Sequence, residues 1–143
     1  MAARWSARFE VISKNPLFIF DGAHNPEGIT AATESILHYF GNEKVVVLSG
    51  VLADKDYNFI AKKLARVASH AVTITPDNPR ALRGEEYARL LSALGVAAES
   101  AESILEAVAR AIALAEREST AVVCLGSLYT YAEVSSAIKN LNK

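Results

Sequence analysis

Two hydrophobic rhythms alternate along the chain. Short solid apolar runs fall at Leu17–Phe20 (LFIF), Lys44–Ser49 (KVVVLS), Ala71–Thr75 (AVTIT) and Thr120–Leu125 (TAVVCL), with a shorter one at Val96–Glu99. Their β-branched content predicts strands, and their lack of in–out alternation predicts burial on both faces. Between them, apolar residues recur every three or four positions, the spacing of one helix face. Ile29, Ala32, Thr33, Ile36, Leu37 and Phe40 make such a stripe, closed by Gly41 and Asn42. Similar stripes predict helices over Lys55–Ala68, Gly84–Leu94 (Tyr87, Leu90, Leu91 and Leu94 inward), Ser103–Glu116 (Ile104, Leu105, Val108, Ile112, Ala115) and Tyr129–Asn140. A further strand is expected over Arg8–Ile12. Ser13–Pro16 would turn it into Leu17–Phe20 as a hairpin.

Strand and helix alternating through the chain predict a Rossmann-like α/β domain. Its sheet is a mostly parallel, doubly wound one of about six strands, with helices on both faces and an antiparallel first strand. Ligands of such sheets bind beyond the carboxyl ends of the strands, near a topological switch point. Four loops follow strands and share that edge: Asp21–Pro26, Gly50–Asp56, Pro76–Arg80 and Gly126–Tyr129.

Composition narrows the classes. The chain has 143 residues, 51% hydrophobic and 22% charged, enough for one well-filled domain and against disorder. A net charge of −1 gives no electrostatic case for nucleic acid or an anionic membrane. No apolar stretch approaches the ~20 residues of a membrane span. The start, MAARWSARFE, has no signal-peptide core and reads as an excised boundary. The single cysteine, Cys124, lies in an apolar run with no basic neighbour; it reads as an inert buried thiol in a cytoplasmic protein. His38 and His70 read as surface or capping residues, the second at a helix end.

The four loops carry the candidate chemistry. In DGAHNP, Asp21 at a strand end accepts hydrogen bonds, His24 can move a proton, and Asn25 caps a helix with Pro26 at its first position. In SGVLADKD, Asp54 and Asp56 suit a helix start, whereas Lys55 opposes the helix dipole and suits an anionic ligand. In TPDNPRAL, two prolines stiffen a loop that presents Asp77, Asn78 and Arg80. In GSLYTYAEV, Ser127 caps a helix whose free amides also attract anions. No GxxxxGK[ST] loop, GxGxxG or GxSxG motif occurs, and no cysteine or histidine cluster has metal-ligand spacing. This edge reads as half of an active site, with anion-seeking groups and nothing to activate a phosphate.

In this order, WSARFE, LFIFDGAHNP, LSGVLADKD, TPDNPRAL and CLGSLYTYAEV resemble the carboxy-terminal domain of the folylpolyglutamate synthase family, whose members are often also dihydrofolate synthases, within the Mur ligase superfamily. The resemblance runs over essentially the whole chain, residues 1–143 as a single domain. It implies an ATP- and Mg2+-dependent ligase that phosphorylates a folate or dihydropteroate carboxylate and joins L-glutamate to the acyl phosphate. It also implies a partner: an amino-terminal ATPase domain, absent here, that holds most of the ATP, magnesium and folate. Without it, the fragment is expected to be inactive.

By the same resemblance, Arg8 reaches ATP phosphates, Asp21 lies on the ribose side and contributes to catalysis, and Asn25 contacts nucleotide. His24 stands near glutamate or the reacting phosphate, while Lys55, Asn78, Arg80 and Ser127 meet glutamate. The family commonly has Pro-Gly where this chain has Ser6-Ala7. A cell-wall Mur ligase domain and a non-catalytic ligand-binding module of the same fold are the alternatives.

Overall fold

The structure is a computed structural model that describes residues 9–126 and 131–141. Arg8, Ser127 and the Tyr129 start expected for the last helix lie outside the described residues. The strands are β1 (Glu10–Ser13), β2 (Phe18–Phe20), β3 (Val45–Ser49), β4 (Ala68–Thr73), β5 (Ala97–Ser100) and β6 (Val122–Leu125). The helices are α1 (Pro26–Phe40), α2 (Tyr57–Ala65), α3 (Gly84–Ala93), α4 (Ile104–Glu118) and α5 (Tyr131–Leu141).

The sheet order is β1-β2-β6-β3-β4-β5. β1 runs antiparallel to β2 as the expected hairpin, and every other neighbouring pair is parallel. Residues of α1, α2 and α3 (Ile29, Ile60, Tyr87) pack with Val45 and Val47 on one face. Residues of α4 and α5 (Val108, Leu114, Val134, Ile138) pack with Val46 and Leu48 on the other. Successive valines of β3 thus feed opposite cores, which is why the run is apolar throughout. Each fully buried aliphatic side chain contributes about 1.5–3 kcal/mol relative to exposure.

The return of the chain from β5 to β6 creates the switch point. β6 sits between β2 and β3, and it leads to a helix on the face opposite those that follow β2 and β3. The crevices flanking the end of β6 are therefore where a ligand-binding edge belongs.

Several sequence expectations are corrected. β4 begins at Ala68, three residues before the expected Ala71, and α2 ends at Ala65 rather than Ala68. His70 is therefore a strand residue, and its Nδ1 lies 2.6 Å from Glu118 Oε2. The stretch ASH does not look like a strand, but Ala68 and His70 pair with β3, and His70 also with β5, which holds it extended. Lys55 precedes α2, whose cap is Asp56. Leu37, Leu94 and Leu105, assigned inward, are exposed. Thr75, expected in a strand, instead accepts the Gly84 amide on its hydroxyl at 2.8 Å.

Candidate functional site

The first loop leaves β2 with its backbone still in the ladder, since the Asp21 amide donates to Cys124 O at 2.8 Å. The Asp21 carboxylate is buried, and its Oδ1 accepts the Ala23 amide at 2.8 Å. This turn directs the chain toward α1. The Asn25 side chain caps that helix, with Oδ1 accepting the Gly28 amide at 2.8 Å, and Pro26 occupies the first turn. The plain capping reading of Asn25 holds, and such a cap is worth about 1 kcal/mol.

His24 is half-buried between these two fixed residues. Its Nδ1 lies 3.0 Å from Gly22 O. A carbonyl only accepts, so Nδ1 carries the proton, and in the neutral ring Nε2 keeps its lone pair. The arrangement orients the ring as a base or hydrogen-bond acceptor beside the amides of α1.

The end of β6 is joined to its neighbours by backbone. The Gly126 amide donates to Ala23 O at 2.7 Å. Gly126 has φ +130°, and a Cβ there would collide with the Gly50 carbonyl oxygen and lie 2.8 Å from Ser49 Oγ. A Cβ on Gly50 would meet Ile74 Cγ1 at 2.9 Å. The two glycines let the loops after β2, β6, β3 and β4 touch through bare backbone. Beneath them, buried Ser49 Oγ pairs with Tyr87 Oη at 3.0 Å. Burial pushes the Tyr87 phenol above its ordinary range, so it stays protonated.

The second and third loops form one surface. Leu52 and Ala81 make an isolated antiparallel bridge. Around it the Ala53 amide donates to Arg80 O at 2.6 Å and the Leu82 amide to Val51 O at 2.9 Å. Asn78 Oδ1 accepts the Arg80 amide at 2.8 Å, so its side chain shapes the loop. The Arg80 guanidinium donates to Asp54 Oδ2 at 2.7 Å, both side chains being exposed. Lys55 is half-buried beside this pair in the sequence, and its carbonyl accepts the Tyr57 amide at 2.8 Å.

The structure thus gathers Asp21, His24, Asn25, Lys55, Asn78 and Arg80 on the carboxyl edge. Asp54, Gly50, Gly126 and the Ser49–Tyr87 pair were not singled out as site residues. For Gly50 and Gly126 the available signal was a glycine directly after a buried strand. Cys124 is buried, and burial pushes its thiol up to about 12, in agreement with an inert role. Among the described residues, no group of three or more His, Cys, Asp or Glu is arranged to hold a metal.

With the fold and this edge established, the kind of protein can be stated: residues 7–128 match the family "Mur ligase, glutamate ligase domain", and the chain belongs to it. It is 40% identical over 90 residues to folylpolyglutamate synthase of Lacticaseibacillus casei, covering 62% of this chain and 21% of that protein. It is 29% identical over 138 residues to dihydrofolate synthase/folylpolyglutamate synthase of Bacillus subtilis, covering 96% of this chain and 31% of that one. Escherichia coli FolC in complex with ADP superposes with TM-score 0.82 at 29% identity, covering 95% of this chain and 32% of that one. The chain therefore spans less than a third of the length of each of these relatives.

Proposed function

We propose that the chain is the glutamate-binding half of an ATP-dependent folate ligase, working against an ATP-binding domain that supplies the phosphate loop. In the proposed reaction, ATP phosphorylates a folate or dihydropteroate carboxylate. The amino group of L-glutamate then attacks the acyl phosphate, forming an amide and releasing phosphate. The observation that carries this reading is the DGAHNP loop, where Asp21 is fixed, His24 has Nδ1 committed, and Asn25 opens α1 on the edge beside the switch point. Membership of the glutamate ligase domain family supports it, and the folate enzymes among the relatives favour folate over the cell-wall alternative.

The roles follow from chemistry. His24 Nε2 accepts a proton from the glutamate ammonium or orients the amine. Lys55 and Arg80 attract the glutamate carboxylates, Arg80 by exchanging Asp54 for a substrate carboxylate. Asn78 holds the Arg80 loop, Ser127 joins the glutamate contacts, and Arg8 meets ATP phosphates. Asp21 and Asn25 fix the turn on the nucleotide side, where amides of α1 suit an anion. The ADP complex of the Escherichia coli relative supports nucleotide binding. The described residues do not form a magnesium site, so Mg2+ would be held with ATP by the other domain. No role given to this chain passes through the metal. The natural setting for such chemistry is the cytoplasm.

The test is a paired kinetic measurement in the enzyme that includes the ATP-binding domain. His24→Ala or Arg80→Ala should lower kcat/KM for glutamate about 10- to 100-fold, with an unchanged melting curve. Wild-type kinetics in both variants would remove these residues from the site. The 143-residue chain alone should neither hydrolyse ATP nor ligate glutamate, and ligation by the pure chain would overturn the division of labour.

A further inference from the structure

Two tight turns face each other on the lip of the carboxyl edge. Residues 52–55 form one, closed by the Lys55 amide on Leu52 O at 3.2 Å. Residues 78–81 form the other, closed by the Ala81 amide on Asn78 O at 3.0 Å, with Pro79 at the position where its fixed φ suits a turn. Asp54 and Arg80 hold the same place, the third, in their respective turns. The Leu52–Ala81 bridge and the Ala53–Arg80 and Leu82–Val51 hydrogen bonds lock the two turns together. Asn78 Oδ1 adds a hold on the Arg80 amide. The backbone under Arg80 is therefore fixed, and its side chain is the part left to move.

That side chain is held by Asp54, whose Oδ2 accepts from Nη1 at 2.7 Å. Among the described residues, Arg80 Nε and Nη2 have no partner. The Arg80 and Asp54 side chains are 60% and 45% exposed, so the pair is solvated and weak. α2 does not use Asp54 as its cap, because Asp56 takes that place and accepts the Phe59 amide at 3.2 Å. A carboxylate of the protein itself thus sits on Arg80 where a ligand carboxylate would bind.

We propose that Asp54 is a specificity-determining residue, an internal carboxylate that a ligand must displace from Arg80 and that admits a ligand carboxylate in preference to a phosphate. The inference rests on the folate-ligase reading, in which Arg80 meets glutamate beside a nucleotide site. An unguarded guanidinium takes both kinds of anion with the same fork of N–H donors. ATP, ADP and released phosphate would then compete with glutamate for it. The locked turns keep a displaced Asp54 close to the incoming anion. Its repulsion grows in proportion to the anion's charge, which is higher for a phosphate than for a carboxylate. The resident pair is weak enough for a carboxylate to displace and near enough to turn a phosphate away.

Steady-state kinetics in the enzyme that includes the ATP-binding domain test it, with glutamate varied and inorganic phosphate as the competing anion. Asp54→Asn should lower KM for glutamate about two- to fivefold with kcat unchanged. It should lower the inhibition constant of phosphate against glutamate further, about five- to twentyfold. In an Arg80→Ala background the same substitution should change neither constant. An unchanged or raised KM in Asp54→Asn, a gain for phosphate no larger than that for glutamate, or the same gains without Arg80 would overturn the inference. Arg80→Ala separates the two levels. If it leaves KM for glutamate at the wild-type value, the ligase reading of this lip is wrong and the inference falls with it. If it raises KM while Asp54→Asn fails to lower it, the inference alone is wrong.

Discussion

At the amino edge of the sheet, Ser69 and His70 of β4 both turn to Glu118 of α4. The Ser69 hydroxyl donates to Oε1 at 2.8 Å, and His70 Nδ1 lies 2.6 Å from Oε2. Nearby, the Thr120 hydroxyl donates to Lys44 O at 2.9 Å. A serine, a histidine and a glutamate stand together there, yet the carboxylate takes both partners. The serine is therefore not lined up on the histidine as a nucleophile on its base. At the carboxyl edge, His24 is tied, among the described residues, only to its own loop's carbonyl, leaving Nε2 available. The residue types alone do not distinguish the two edges; the partner of each polar atom does. At one edge polar side chains pair across elements; at the other Asp21, Asn25 and Asn78 brace backbone amides of their own loops, and among the described residues His24 Nε2 has no partner.

Graded substitutions test that contrast. The largest effect belongs to the backbone junction: Gly126→Ala should cost more than about 3 kcal/mol, because the methyl meets the Gly50 carbonyl and φ is +130°. Urea denaturation checks it, and a near-native midpoint would show that the junction is loose. Tyr87→Phe, which leaves buried Ser49 Oγ without its phenol partner, should cost about 1–2 kcal/mol by the same measurement. Asn25→Ala removes the cap of α1, with an expected loss of about 1 kcal/mol, recovered in part by Asn25→Asp. Glu118→Gln at the amino edge should cost at most about 1 kcal/mol and leave ligand binding at the carboxyl edge untouched. Any change in glutamate or nucleotide binding would dissolve the distinction between the edges. His24→Ala should be smallest in stability, within about 0.5 kcal/mol, while carrying the largest loss of turnover.

The fold was legible where a segment's pattern and its packing agree. The β-branched runs of β3 and β6 are buried on both faces, and the stripe Ile29, Ala32, Thr33, Ile36 of α1 is the buried one. It was illegible where tertiary pairing decides the backbone. Ala68-Ser69-His70 is extended because Ala68 and His70 pair with β3 and His70 with β5, and no local preference announces that. The outer stripe positions Leu37 and Leu105 have helical spacing but no neighbour to cover them. The candidate site divides in the same way. Asp21, His24, Asn25 and Arg80 are visible as polar residues at strand ends. The Arg80–Asp54 pair joins residues 26 positions apart, and the Gly126–Gly50 contact depends on β6 entering beside β3. Strand order carries that information, and the hydrophobic pattern does not encode it.

The small bridge between Leu52 and Ala81 has a consequence for how this edge can change over generations. Two loops joined by Ala53–Arg80 and Leu82–Val51 hydrogen bonds cannot vary in length independently. An insertion in one would slide Arg80 away from Asp54 and Lys55 together. Substrate range in this lip is therefore expected to shift by exchange of side chains at constant loop length, with insertions confined to the outer turns beyond the bridge.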